Sequence, residues 1–489
     1  MSTFPVGKVL LKGALWTTVG EVLSGLALLG ASVIAARVLS PHDFGVMGAV
    51  TLALTIVDQL SQTGFHSALV QREKDVESYL DVAFTWHALR GTFIAVLLAA
   101  SAPWLGRFYS EPLLVPVMLA VALQPLLAGF TNIGQVYFHR RLDFRALSLV
   151  KLVQVALRVA VFVPAILYFR NVWALVIGVL ASVVSGVIVS YVSHPYRPRF
   201  RWDGARLAEL VRYGKWLTGF SAMSLCITYG DNLFVSKYMG LAALGVYQLA
   251  FEVSNMPATN ITHVLGRIGF PTYARLQNDR EALRGAFVHV MRATLLLSGP
   301  VSVLLFVAAE DFVMHVLGAK WARAVPLIRI LSVAGFVRSF AALAGPLFHA
   351  VGRADLDFKM NLPRFFCTVL GVWPAAHFFG LEGVCVVVLV AIATTLPTWF
   401  VVLPRLLGLP VRDIGRENML ALLASVLLGI SYALVRPRFG HEFANTLAGV
   451  AASLAVWLAA LGVLGRFSPY DFFAELGRLR ASLRPARKT

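Results

Sequence analysis

RVLSPHDFGV (residues 37–46) and KYMGLAALGV (residues 237–246) stand two hundred positions apart and read as copies of one stretch. Each opens on a basic residue, Arg37 or Lys237, and closes on Gly45-Val46 or Gly245-Val246. The same offset pairs Trp16 with Trp216, Thr18 with Thr218 and Gly30 with Gly230. Similarity is cheap in apolar sequence. Six matches at one offset, with a tryptophan pair and a basic pair among them, point instead to an internal duplication.

Long apolar runs flank both copies. The chain has 489 residues, 58% of them hydrophobic and only 14% charged. That is too little charge to cover a soluble surface of this size. The runs are continuous rather than alternating, which excludes a membrane barrel and predicts helices of ~20 residues each. About fourteen spans are expected, near 13–38, 43–66, 79–102, 113–138, 147–169, 172–193, 211–238, 241–265, 286–308, 324–350, 359–379, 381–403, 418–435 and 444–466. The first run is too long for a signal-peptide core and no small-residue cleavage site follows it, so the first helix is expected to be kept. Cys226, Cys367 and Cys385 all lie in apolar runs without a Cys-x-x-Cys or Cys/His neighbour, so no metal site or disulfide framework is indicated.

Charge sets the orientation. One set of loops, with the C-terminal tail, carries about 28 Lys and Arg, and the opposite set about 8. The positive-inside rule places both termini in the cytoplasm and accounts for the net charge of +18 without nucleic acid. Six spans precede the second copy, so both copies share one orientation and form a parallel repeat. The expected fold is an all-α polytopic membrane protein. A six-helix bundle at 1–200 and a second at 201–404 are followed by two additional helices at 405–466, an apparent appendage, and a basic tail at 467–489.

This pattern resembles the multidrug/oligosaccharidyl-lipid/polysaccharide exporter superfamily. Four stretches, ARVLSPHDFGVMGAV (36–50), LDVAFTWHALRG (80–91), YGDNLFVSKYMGLAALGVYQLAF (229–251) and GRIGFPTYARLQND (266–279), look like the polysaccharide transporter family of Wzx-type flippases, in the branch with the colanic acid exporters. The resemblance implies a multi-pass protein of the bacterial cytoplasmic (inner) membrane. It implies export of an undecaprenyl-diphosphate-linked oligosaccharide to the periplasmic leaflet for surface polysaccharide, by alternating access. It also implies a polymerase and a chain-length regulator as pathway partners. A peptidoglycan lipid-II-type flippase and a multidrug antiporter are the neighbouring alternatives. A membrane polymerase or ligase is disfavoured, since no long loop carries a nucleophile or a carboxylate pair. No cofactor, catalytic residue or metal is expected.

Ionisable groups inside spans mark the transport path, because each costs ~2.5–3.5 kcal/mol at mid-bilayer. Arg338, Arg158 and Arg90 are the candidates for the diphosphate, since guanidinium forks match phosphate oxygens. Structural pairing with Glu252, Asp231 or Asp58 is the competing reading. His87 shares a helix face with Arg90. With Gln59, Gln62, Gln124, Asn132 and Gln135 it would line a polar groove for sugars, the alternative being interhelical hydrogen bonds. No phosphate-binding glycine loop occurs, so ATP hydrolysis is not indicated. Asp231, Glu252 and Glu21 are the candidate ion carriers. Asp231 either fixes the C-terminal half through an interior arginine or titrates during transport.

Overall fold

The computed structural model describes residues 6–61, 77–140, 143–204, 223–256, 258–259, 269–270, 272–439 and 443–465, and these are helices and turns without a strand. Ten helices among the described residues are long and apolar enough to cross a membrane, and a shorter apolar stretch covers Leu114–Ala128. The chain divides into two compact units. One is Met1–Leu249 with Thr368–Pro374; the other is Ala250–Cys367 with Ala375–Thr489.

The first unit begins with α1 (Val6–Val38), α2 (Pro41–Leu60) and α3 (Glu77–Tyr109). Ser40 starts α2 through a reciprocal cap. Its hydroxyl accepts from the Asp43 backbone N–H at 3.2 Å, and the Asp43 carboxylate accepts from the Ser40 N–H at 2.9 Å. Pro41 at the first turn lacks only an N–H that would have no helical partner. The other Asp43 oxygen accepts from the Val172 N–H at 3.0 Å, so one carboxylate caps two helix starts.

A single helix over 113–138 is expected from the sequence, but the structure breaks it into α4 (Leu114–Val121), α5 (Leu123–Ala128), a single 3-10 turn at Ile133–Gln135 and α6 (Val136–Arg140). Pro125 can neither donate to the preceding turn nor avoid crowding its carbonyl. Next come α7 (Phe144–Phe169) and α8 (Val172–Ser193), packed side by side. Phe162, Ala165 and Ile166 of α7 and Ala174 of α8 close a core with Ala31, Ala35 and Leu39. A helix over 223–238 (α9) follows, and then α10 (Leu241–Met256), whose residues up to Leu249 belong to this unit.

The duplicated stretches meet. A methyl group on Gly45 would stand 1.7 Å from the Leu241 carbonyl oxygen, and one on Gly245 would stand 2.0 Å from that of Pro41. Each copy thus places its glycine on the first residue of the other's helix. On Gly48 a methyl group would lie 2.1 Å from Oε1 of its own repeat equivalent, Gln248. This reciprocity is the local signature of a two-fold relation. Both helices begin at the contact, as a parallel repeat requires.

In the second unit α11 (Arg280–Val307) packs against α12 (Ala324–Ala341) and α16 (Val411–Phe439), and α16 against α17 (Phe443–Gly465). Along the chain between α12 and α16 come α13 (Ala344–Ala350), α14 (Ala354–Ala393), of which Thr368–Pro374 belongs to the first unit, and α15 (Leu396–Leu407). The sequence separates two spans at 379–381, and α14 turns there, with Gly380 at φ 61°, a conformation that a side chain would strain. Phe287, Phe348 and Trp399 fill the core together with Ile414, Ala421 and Ala424 of α16 and Leu461 of α17. The two C-terminal helices are therefore no appendage but part of this core.

Candidate functional site

Four of the places where polar side chains gather inside the described helices hold residues that the sequence singles out. The first joins α2 and α3. Arg90 donates from Nη2 to the Asp58 carboxylate at 2.7 Å and to the Asp58 carbonyl at 2.6 Å. Its Nε reaches the Ser61 carbonyl at 2.9 Å and hydroxyl at 3.1 Å. The guanidinium therefore caps the carbonyl end of α2 as well as pairing a carboxylate, which suits both its charge and the helix dipole. His87, one turn earlier on α3, lies near Arg90, Asp58 and the Ala128 backbone. Gln59 is half-buried beside Asp58, and Gln62 lies outside the described residues. Arg90 and His87 thus come together, as their spacing predicts, and the carboxylate between the helices is Asp58.

Lysine has neither the fork nor the reach to replace all four contacts. Arg90→Lys is expected to lower stability by about 1–2 kcal/mol, read as an earlier melting transition of the purified protein. Unchanged melting would show that the clamp does not hold these helices.

The second place joins α1 and α7, where Lys151 is ion-paired with Glu21. Arg158 follows two turns later on the same helix and is half-buried. Gln124 is half-buried on α5. The other two groove candidates are engaged in the fold. Asn132 is 1% exposed, accepts from the Gly134 N–H at 2.8 Å and donates to the Tyr196 carbonyl at 2.7 Å. Gln135 donates to the Ser193 hydroxyl at 3.3 Å.

The third place holds Asp231, which is 3% exposed on α9. One carboxylate oxygen accepts from the Tyr247 hydroxyl of α10; the other accepts from Asn232, through its backbone at 2.8 Å and its side chain at 2.9 Å. Asn232 then accepts from Gln248 Nε2 at 3.1 Å. This chain of donors ends at the residue that faces Gly48 in the repeat contact. A buried carboxylate is tolerated where such donors replace water. Nearby, Lys237 of α9 donates to the Phe108 carbonyl at 2.6 Å, and the Ser236 and Tyr109 hydroxyls lie 3.0 Å apart, which ties the end of α9 to the end of α3.

The fourth place lies in the second unit. Arg338 of α12 donates from Nη1 to Asn255 Oδ1 at 2.7 Å and lies over the Phe251 ring at 4.8 Å. Phe251 and Asn255 are four residues apart on α10, so one helix face fixes the guanidinium. Glu252 on the same helix is exposed. Asn255 was not singled out from the sequence, although the spacing of FEVSN carries the signal.

A further buried cluster went unread in the sequence. Asp311 is 3% exposed. It accepts from the Tyr432 hydroxyl at 2.8 Å and from Arg436 Nη2 at 3.1 Å, both on α16.

The fold is shared with known transporters. The structure resembles the lipid II flippase MurJ in its inward closed conformation at a TM-score of 0.74, with 12% identity, over 92% of this chain and 99% of that one. It also resembles an inward-facing multidrug resistance MATE family transporter of the MOP superfamily at 0.62, with 13% identity, over 80% of this chain and 98% of that one. A helical membrane protein of the MurJ/MATE fold is thereby defined. Residues 34–326 match the family described as polysaccharide biosynthesis protein, and the chain belongs to that family. It is 25% identical to the lipopolysaccharide biosynthesis protein WzxC of Escherichia coli (strain K12) over 429 residues, 87% of each chain. It is 24% identical to the succinoglycan biosynthesis transport protein ExoT of Rhizobium meliloti (strain 1021) over 438 residues, 86% of each.

Proposed function

We propose that the protein flips an undecaprenyl-diphosphate-linked oligosaccharide from the cytoplasmic to the periplasmic leaflet of the bacterial inner membrane, for surface polysaccharide synthesis. The observation that carries this reading is family membership over residues 34–326, joined to relatives named for polysaccharide biosynthesis and transport. Both termini are cytoplasmic in this reading. Fourteen spans form bundles at 1–200 and 201–404, with two further helices at 405–466. A polymerase and a chain-length regulator act downstream on the exported unit.

Arg338, Arg158 and Arg90 are the candidates for the diphosphate. Arg338 is the best prepared, because Asn255 and Phe251 hold its plane before any substrate arrives. The half-buried Gln59, Gln124 and His87, with Gln62, serve the sugars. Asp231, Glu252 and Glu21 are the candidates for ion coupling. The membrane potential alone contributes ~2.3 kcal/mol per charge per 100 mV to moving a diphosphate outward.

The test is deletion of the gene and extraction of lipid-linked intermediates. A specific lipid-linked oligosaccharide accumulates on the inner leaflet and surface polysaccharide is lost. Intact polysaccharide with no accumulated intermediate would sink the reading. In the complemented strain Arg338→Gln lowers export at least about tenfold, the scale of one charged phosphate contact. Full export by a normally inserted Arg338→Gln would remove it from the site.

A further inference from the structure

The segment after α8, HPYRPRFRW (194–202), is not a slack loop. Tyr196 donates its hydroxyl to Asp81 of α3, and the Arg199 backbone N–H donates to the same carboxylate at 3.0 Å. Burial and the Asp81 bond raise the Tyr196 phenol pKa well above its ordinary value, so it stays a donor. Two residues on, the Arg201 N–H donates to the Thr85 hydroxyl at 2.8 Å, one turn along α3 from Asp81. The Tyr196 carbonyl accepts from Asn132 at 2.7 Å, and the His194 ring stacks on Tyr137 at 5.3 Å. An extended strap is thus bound along one helix face by alternate residues.

Its outward chemistry is consistent. Arg197, Arg199 and Arg201 are all exposed, and among the described residues none is in an ion pair, although Arg197 Nη1 donates to the His194 and Tyr196 carbonyls at 2.9 and 3.0 Å. Phe200 and Trp202 alternate with them and are 68% and 66% exposed. Asp81, the carboxylate that binds the strap, has one oxygen occupied by both the Tyr196 hydroxyl and the Arg199 amide, and Asp203 follows Trp202 directly in the chain. The strap starts one residue beyond Ser193, where the membrane-length helix Val172–Ser193 ends, which sets it at the depth of lipid headgroups. Aromatic rings favour that layer, and arginine forks match phosphate oxygens.

We propose that the strap 194–202 is a preformed docking site for the headgroups of anionic phospholipids. The arginines hold the phosphates while Phe200 and Trp202 insert at the acyl boundary, and the bonds to Asp81 and Thr85 remove the ordering cost that a free loop would bear. The occupant is leaflet lipid rather than the transported molecule, because the arginines alternate with aromatics at the interface instead of facing a helix interior. This inference does not depend on what the protein transports.

The test uses the full-length protein in zwitterionic vesicles doped with brominated phosphatidylglycerol or brominated phosphatidylcholine. The emission of Trp202 is obtained by subtracting the Trp202→Phe variant. Phosphatidylglycerol should quench it at about fivefold lower mole fraction than phosphatidylcholine, the factor that one headgroup-bound arginine provides. High salt should abolish the preference. Arg197→Gln/Arg199→Gln/Arg201→Gln should equalise the two lipids, whereas Arg353→Gln/Lys359→Gln, an exposed basic pair elsewhere, should leave the preference intact. Equal quenching in the wild type, or a preference that survives high salt, overturns the proposal. So does a preference lost equally in the Arg353/Lys359 variant, which would make it bulk charge. Reversal by micromolar inorganic pyrophosphate would also overturn it, by making the strap a soluble-diphosphate site.

Discussion

Gly45→Leu abolishes export, with surface polysaccharide falling more than about tenfold in a complemented deletion strain, because the repeat contact cannot form around a side chain. Even a bare methyl group at this position would lie 1.7 Å from the Leu241 carbonyl oxygen. Ordinary contact needs roughly twice that separation. The backbones of α2 and α10 would have to part, and the reciprocal approach of Gly245 to Pro41 would be lost with it. The contact joins two rigid helix starts, so no side-chain rotation relieves it. Gly30 supplies the control. It belongs to the same duplicated set, yet a methyl group there meets nothing within 4 Å. Gly30→Ala should therefore export normally and gain about 0.5–1 kcal/mol from helix propensity. Normal export by Gly45→Leu would mean that the close approach of the two copies plays no part in the transport cycle.

Asp311→Ala should cost roughly 2 kcal/mol of stability, because it strands the buried Tyr432 hydroxyl and leaves Arg436, 30% exposed, with only Glu310 at 3.8 Å. It leaves Arg436 without its buried partner and takes the acceptor from the Tyr432 hydroxyl. Both groups lie on α16, so the loss loosens that helix from the second unit. The purified protein should melt several degrees lower. Asp311→Asn keeps an acceptor for Tyr432 but not the charge, and should fall between. Its position separates the hydrogen-bond share of the effect from the ionic share. Wild-type melting of Asp311→Ala would show that the ion pair contributes nothing net, as occurs where desolvation cancels attraction.

These two sites differ in how far they could be read from the sequence. The glycine contact was legible as a repeat, since one offset links Gly45 to Gly245, although nothing in the letters says that the two copies touch. Asp311 and its partners lie 121 and 125 residues apart, with no spacing rule to connect them. For the same reason the C-terminal helices read as an appendage, whereas Ile414, Ala421 and Ala424 are core residues. Helix borders were clear wherever punctuation is chemical. Ser40-Pro41 starts α2, Asn171 caps α8 by accepting from the Trp173 N–H at 3.1 Å, and Gly380 marks the break within α14. The broken fourth run was missed because hydropathy does not register a single proline. At the polar clusters, spacing along one helix brought His87 and Arg90 together correctly. The partner across the helices was harder to see. Asn255 beside Arg338 and Tyr247 beside Asp231 depend on tertiary packing that no local pattern encodes.

The double cap at Asp43 has a consequence for biogenesis. Its second carboxylate oxygen is satisfied by a backbone group 129 residues downstream. At a synthesis rate of roughly 5–20 residues per second, Val172 leaves the ribosome on the order of ten seconds after Asp43. During that interval α2 is inserted with its own reciprocal cap already closed, and the second Asp43 oxygen waits for the first N–H of α8. The carboxylate that closes the start of the duplicated stretch is therefore also the waiting cap of a helix made later.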